Sequence, residues 1–153
     1  MSIGEIAALV YNMSSQWYLA ELVMEITVAD DPRNVIHRNM TLISAQSADE
    51  AYDKSLTIGH AGETSYLNPA GKSVSICFRG IADIDRIYDE LEDGAELTFH
   101  ASVGVPEDDV KAMLHPRDRL TAFLHPQRAA GPDYASAEVI EQAEREFGVK
   151  RPE

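Results

Sequence analysis

Glu21 and Glu25, then His37, Asn39 and Thr41, then Cys77 and Arg79, form three groups of polar residues. Each group alternates with apolar neighbours along its own stretch of chain. On three adjacent strands, such residues form a row of carboxylates, an imidazole, an amide, a thiol and a guanidinium on one face of a sheet. Glu21, His37 and Arg79 would then have the groups needed to grip a polar ligand, or to move protons if their environments displace their pKa values. The competing reading is a wet sheet face, where cross-strand ion pairs contribute under about 1 kcal/mol each. Trp17, Leu19 and Val23 fall on the same side as Glu21 and Glu25, and a clustered apolar patch of that kind argues for a covering partner. The candidate binding face is therefore Trp17, Glu21, Glu25, His37, Asn39 and Arg79.

Cys77 needs a neighbouring base to act as a nucleophile. Arg79 on the same face would lower its pKa. A strand cysteine is more often a small buried packing residue, and no catalytic residue is assigned. The five histidines, His37, His60, His100, His115 and His125, are scattered. No two of them have the i, i+4 spacing of a helical zinc site, and no cysteine pair supports them. No metal site and no cofactor is expected. The sequence contains no G-x-S-x-G, no phosphate loop and no G-x-G-x-x-G. From Asp83 to Glu96 there are seven acids and one base, without the ligand pattern or central glycine of a calcium loop.

The elements that must position these residues follow from periodicity. QWYLAELVMEITV alternates, with Tyr18, Ala20, Leu22, Met24, Ile26 and Val28 forming an apolar side. Asp30, Asp31 and Pro32 make a turn. RNVIHRNMTLISA returns as a second strand. Ser47, followed three residues later by Glu50, caps a helix with the stripe Ala48, Ala51, Tyr52, Ser55 and Leu56, ending at Gly59 or Gly62. A short strand is expected around Thr64 to Leu67. SVSICFR predicts a strand broken by Gly80. Asp83 then caps a short helix carrying Ile84, Ile87, Tyr88 and Leu91, closed by Gly94. A further strand is expected over Glu96 to Ala101.

At the N-terminus, SIGEIAALVYNM predicts a short helix with Ser2 and Glu5 at capping-box spacing. PEDDVKAML predicts another helix, and DRLTAFL an edge strand. Pro126 to Pro132 reads as a linker, and SAEVIEQAEREFG as a terminal helix with Val139, Ile140, Ala143 and Phe147 on one face.

The chain has 153 residues, with 44% hydrophobic and 25% charged, which suits one soluble domain. The formal net charge is −13, and the first 103 residues hold 16 acids against 6 bases. A field of that sign repels phosphate backbones and anionic membranes, so neither nucleic acid nor membrane is an expected partner. A basic protein partner is compatible with it. The single cysteine excludes an internal disulfide. There is no secretory n-region and no apolar run of about 20 residues, so the expected location is cytoplasmic.

WYLAELVMEITV, SADEAYDKSLTIG, the block FRGIADIDRIYDELEDGAEL and the later DRLTAF together resemble domain-of-unknown-function family 4288, a set of small, mostly bacterial proteins. The most specific parts are Trp17-Tyr18 and the block Phe78, Gly80, Leu91, Asp93, Gly94, Glu96 and Leu97. The resemblance spans roughly residues 16–123 and implies a compact bacterial α+β domain, without an activity, substrate or site residue.

The expected fold is α+β: an antiparallel sheet of four to six strands with helices packed on one face, plus N- and C-terminal helical extensions. Residues 1–126 form a single domain, and 127–153 a linker and helix. The leading function is a non-catalytic binding or protein-interaction domain, acting through its sheet face or its acidic surface on a protein partner or in a homodimer. The alternative is a small enzyme or small-molecule-binding protein using Glu21, His37 and Arg79 on the open sheet face.

Overall fold

Two long apolar-rich strands joined by a tight turn start the structure. The computed structural model describes residues 1–5, 14–124 and 145. β1 (Gln16–Val28) and β2 (Asn34–Ala45) pair antiparallel without a register break, from Gln16 opposite Ala45 to Thr27 opposite Asn34. Asp30, with φ 67°, reverses the chain in the left-handed region that Asp tolerates. The Asp31 amide donates to the Val28 carbonyl at 3.1 Å.

After β2 comes α1 (Ala48–Ala61), then β3 (Thr64–Leu67) and β4 (Ser73–Ile87). The sheet has four strands in the order β2-β1-β4-β3, every neighbouring pair antiparallel. Ser47 caps α1 as its spacing predicts: the Glu50 amide donates to Ser47 Oγ at 3.2 Å, and Glu50 Oε2 accepts from the Gln46 amide at 2.7 Å. The helix runs through Gly59, and Gly62 is its C-cap.

The core lies between α1 and one face of the sheet. Tyr18, Ala20, Leu22 and Met24 of β1 join Ile43 and Ala45 of β2, Phe78 of β4 and Ala51 of α1, with Leu56, Ile76, Ile81 and Ile84 packed against them. Ile26, Val28, Val35 and Val74 continue the apolar layer toward the other end. Each large side chain here contributes roughly 1.5–3 kcal/mol by leaving water. The β1 alternation predicts this layer directly.

β4 corrects the sequence reading. It does not stop at Gly80, and Asp83–Leu91 is not a helix; the strand is 15 residues long and pairs with β1 down to Ile87 opposite Trp17. The reason is a pair of bulges. Val23 faces Gly80 and Met24 faces Phe78, so Arg79 is an extra residue; Leu22 faces Ile81 and Glu21 faces Asp83, so Ala82 is another. Each bulge inserts one residue between core-facing positions. Phe78, Ile81 and Ile84 therefore point to the same side at intervals of three, a spacing that mimics a helix face. Gly80 adopts φ 141°, which a side chain rarely permits, between the two bulges.

Residues 96–101 carry no regular structure, contrary to the expected strand. The chain from Asp89 to Thr98 is tied down by side-chain bonds instead: the Glu96 amide donates to Asp89 Oδ2 at 2.9 Å, and Thr98 Oγ1 to Asp85 Oδ2 at 3.1 Å.

Among the described residues, 99–124 belong to a second compact unit. It holds α2 (Glu107–Ala112), a 3₁₀ turn (Arg117–Arg119) and α3 (Thr121–Leu124). DRLTAFL is thus helical rather than an edge strand, and the Arg117 guanidinium lies over the Phe123 ring at 4.1 Å. At the N-terminus the Ser2–Glu5 box is formed: the Ser2 amide donates to Glu5 Oε2 at 2.6 Å, and the Glu5 amide to Ser2 Oγ at 3.2 Å. The rest of that predicted helix, the linker from Pro126 and the terminal helix apart from Arg145 lie outside the described residues. Among the described residues no helix is long and apolar enough to cross a membrane.

Candidate functional site

Residues that pair across a sheet share a face, so the register decides which candidates meet. Trp17, Leu19, Glu21, Val23 and Glu25 of β1 stand opposite Ser44, Leu42, Met40, Arg38 and Ile36 of β2. This is the face turned away from α1. His37, Asn39 and Thr41 stand opposite Met24, Leu22 and Ala20, on the face that α1 packs against. The expected grouping of His37 and Asn39 with Glu21 and Glu25 is therefore corrected, and Glu21, His37 and Arg79 are not brought together. The sequence shows two alternating sets in β2; only the pairing with β1 says which set is which.

The polar groups on the outer face are already engaged. Arg38 forms an ion pair with Glu21, whose carboxylate is nearly buried in the middle of that face. Glu25 accepts from Arg79 Nη1 at 3.2 Å and from Asn34 Nδ2 at 2.7 Å, which links β4, β1 and β2 through one carboxylate. The bulge explains Arg79: as the extra residue, it reaches across to Glu25. Asp83 and Asp85 of β4 complete the row beside Glu21 and Leu19. Cys77, opposite Glu25, is exposed rather than buried, with its sulfur 3.6 Å from Ser75 Oγ.

Between these charges lies apolar surface. Met40 is 56% exposed, Leu42 46% and Trp17 41%, with Leu19, Val23 and Ile36 half-buried among them. Ile87, opposite Trp17, is buried. β2 stands at the end of the strand order, so among the described residues no strand pairs with its free side.

A second feature lies on the helix side. A groove of about 590 Å³ runs where the first turn of α1 meets the end of β4. Tyr18 and Ile84 line it from the sheet, Ala48, Asp49 and Tyr52 from α1, and Arg86 and Tyr88 from the end of β4 and the residue after it. Tyr18 and Arg86 are cross-strand partners. The Arg86 guanidinium carbon sits 4.9 Å from the centre of the Tyr88 ring. The sequence offers one signal for this groove: Arg86 is the only base among seven acids from Asp83 to Glu96. A helical reading of that stretch places Arg86 on a solvated face, whereas the bulged strand turns it toward α1.

The model of the family described as Domain of unknown function (DUF4288) matches residues 17–99, more than half of the 153-residue chain. The chain belongs to that family. The matched region contains β1, β2, α1, β3 and β4, and stops before DRLTAF. No curated protein and no solved structure matches the chain.

Proposed function

We propose that this family member is a non-catalytic protein-interaction domain, and that its interface is the outer face and free edge of β2, occupied by a second copy of the chain. The observation that carries the reading is the exposed apolar row of Met40, Leu42 and Trp17 beside the 12-residue β2, whose outer edge no described strand pairs with. An antiparallel edge is its own complement across a two-fold axis, so two copies can join their β2 strands isologously. The usual protections of an edge are weak here. β2 contains no proline, and the charge of its outward Arg38 is taken up by Glu21.

The charges on the face also favour this occupant. Glu21–Arg38 and Glu25–Arg79 are paired within one chain, so covering them strands no lone charge. The acid-rich stretch from Asp83 to Glu96 begins on β4, which β1 separates from the β2 edge.

Light scattering of the eluting protein at low and high salt tests this. Two chains of net charge −13 repel one another, so screening should strengthen their association. The expected result is a dimer that tightens with salt and becomes a folded monomer on Met40→Lys with Leu42→Lys. A wild-type monomer at both salt concentrations overturns the reading. Capture of a basic protein would behave oppositely, weakening as salt rises.

A further inference from the structure

Arg86 is the exception among the arginines of the sheet and its first turn. Arg33 pairs with Asp31, Arg38 with Glu21 and Arg79 with Glu25. Arg86 has no carboxylate at ion-pair distance among the described residues, although acids outnumber bases two to one in the chain. Its Nε–H is covered and has no hydrogen-bond partner among the described residues, so a ligand in the groove would meet the Nη groups of this permanently charged donor.

We infer that the groove between the start of α1 and the end of β4 is a binding site for a carboxylate carried on a flat or apolar body, with Arg86 as its cation. Three features support this ligand class. The Arg86 guanidinium carbon lies 4.9 Å from the centre of the Tyr88 ring at the groove, and a guanidinium has the planar, bidentate geometry that carboxylates match. The charge is already partly stripped of water, which strengthens its attraction for an incoming anion. Tyr52 and Tyr88 leave 51% and 80% of their surface exposed at the rim, ready to cover an apolar or aromatic body.

Asp49 also lines the groove, so its carboxylate offsets part of the attraction of Arg86 for any anion. The volume of about 590 Å³ lies within the range of small-molecule sites. It admits either a free aromatic or aliphatic acid or the carboxyl end of a peptide.

Backbone amide NMR titration of the full chain tests the assignment. Phenylacetate is expected to shift the amides of Ala48–Tyr52 and Ile84–Tyr88 saturably. Phenylacetamide, of the same shape without the charge, should bind roughly tenfold more weakly or worse. Arg86→Met should abolish the phenylacetate shifts, and Tyr52→Ala should weaken them. An acetylated peptide ending in a free Phe carboxylate separates the two sources: tighter binding than phenylacetate assigns the site to a chain terminus, and weaker binding assigns it to a free acid. Equal binding of acid and amide overturns the inference, as does the absence of saturable shifts at these amides. If the Arg86 variant fails to fold, the comparison of acid and amide on the native chain decides alone.

Discussion

Gly59 of α1 lies directly against the ring of Phe78 on β4: a Cβ built on Gly59 would come within 2.5 Å of Phe78 Cε2 and Cζ. The ring is buried and also meets the edge of His60 at 5.1 Å between centroids, so it has little room to retreat. The glycine in the helix is therefore a packing requirement rather than a stop signal.

That contact decides the sign of a substitution. Alanine in a helix interior is favoured over glycine by about 1 kcal/mol, while overpacking a core costs typically 1–3 kcal/mol. Because the obstructing atoms are a confined ring, Gly59→Ala should destabilise the domain, by up to about 2 kcal/mol net. Urea unfolding midpoints measure it. Phe78→Leu in the Gly59→Ala background should recover part of the loss, and a stabilised single variant would refute the contact.

The Glu21–Arg38 pair is asymmetric, with the Glu21 side chain 12% exposed and that of Arg38 65%. Arg38→Ala strands a nearly buried carboxylate and should cost roughly 1–3 kcal/mol. Glu21→Met leaves Arg38 free to turn to water and should cost less. The double variant should be more stable than Arg38→Ala alone, which a double-mutant cycle by chemical denaturation would show.

Acid should loosen the packing of α1 on β4. Glu63 accepts the Phe78 amide at 3.0 Å, and this bond, followed by the one to His60, holds its carboxyl below the usual 4.5. A depressed carboxylate contributes stability that is present above the unfolded value near 4.5 and disappears as pH falls through the lower folded value. Asp31, held down by Arg33, acts in the same direction below 3.8. Wild-type unfolding midpoints should thus fall steadily below about pH 4.5. The gap between wild type and Glu63→Gln should narrow over the same range; a constant gap would rule out the Glu63 contribution.

Cys77 should react in the native state. It lies exposed on the outer face, so Ellman's reagent should titrate one thiol per chain without denaturant. Cys77→Ser should change stability by less than about 0.5 kcal/mol, as for an ordinary surface position. A thiol that reacts only after unfolding would contradict its placement.

Much of the fold was legible because the elements declare themselves locally. The unbroken alternation from Tyr18 to Val28 specifies β1 and its buried side, since only a half-buried strand needs that pattern. Ser47 and Glu50 specify the start of α1, since they satisfy amides that any helix start leaves open. The family resemblance likewise rests on short local motifs, Trp17-Tyr18 on β1 and the block from Phe78 to Leu97. Other features depend on pairing between distant segments. Two bulges at Arg79 and Ala82 gave β4 the spacing of a helix, and nothing local distinguishes a bulged strand from one turn of helix. The register of β2 against β1 sent His37 and Asn39 to one face and Arg38 and Met40 to the other, a choice that a shift of one residue would reverse. Arg86 shares a groove with Tyr18, Tyr52 and Tyr88 only because β4 continues as a strand to Ile87. Local pattern thus determined which segments would be strand or helix across most of the sheet, because burial and capping act within a few residues. Only the tertiary structure decided which side chains share a surface, because that depends on long-range register.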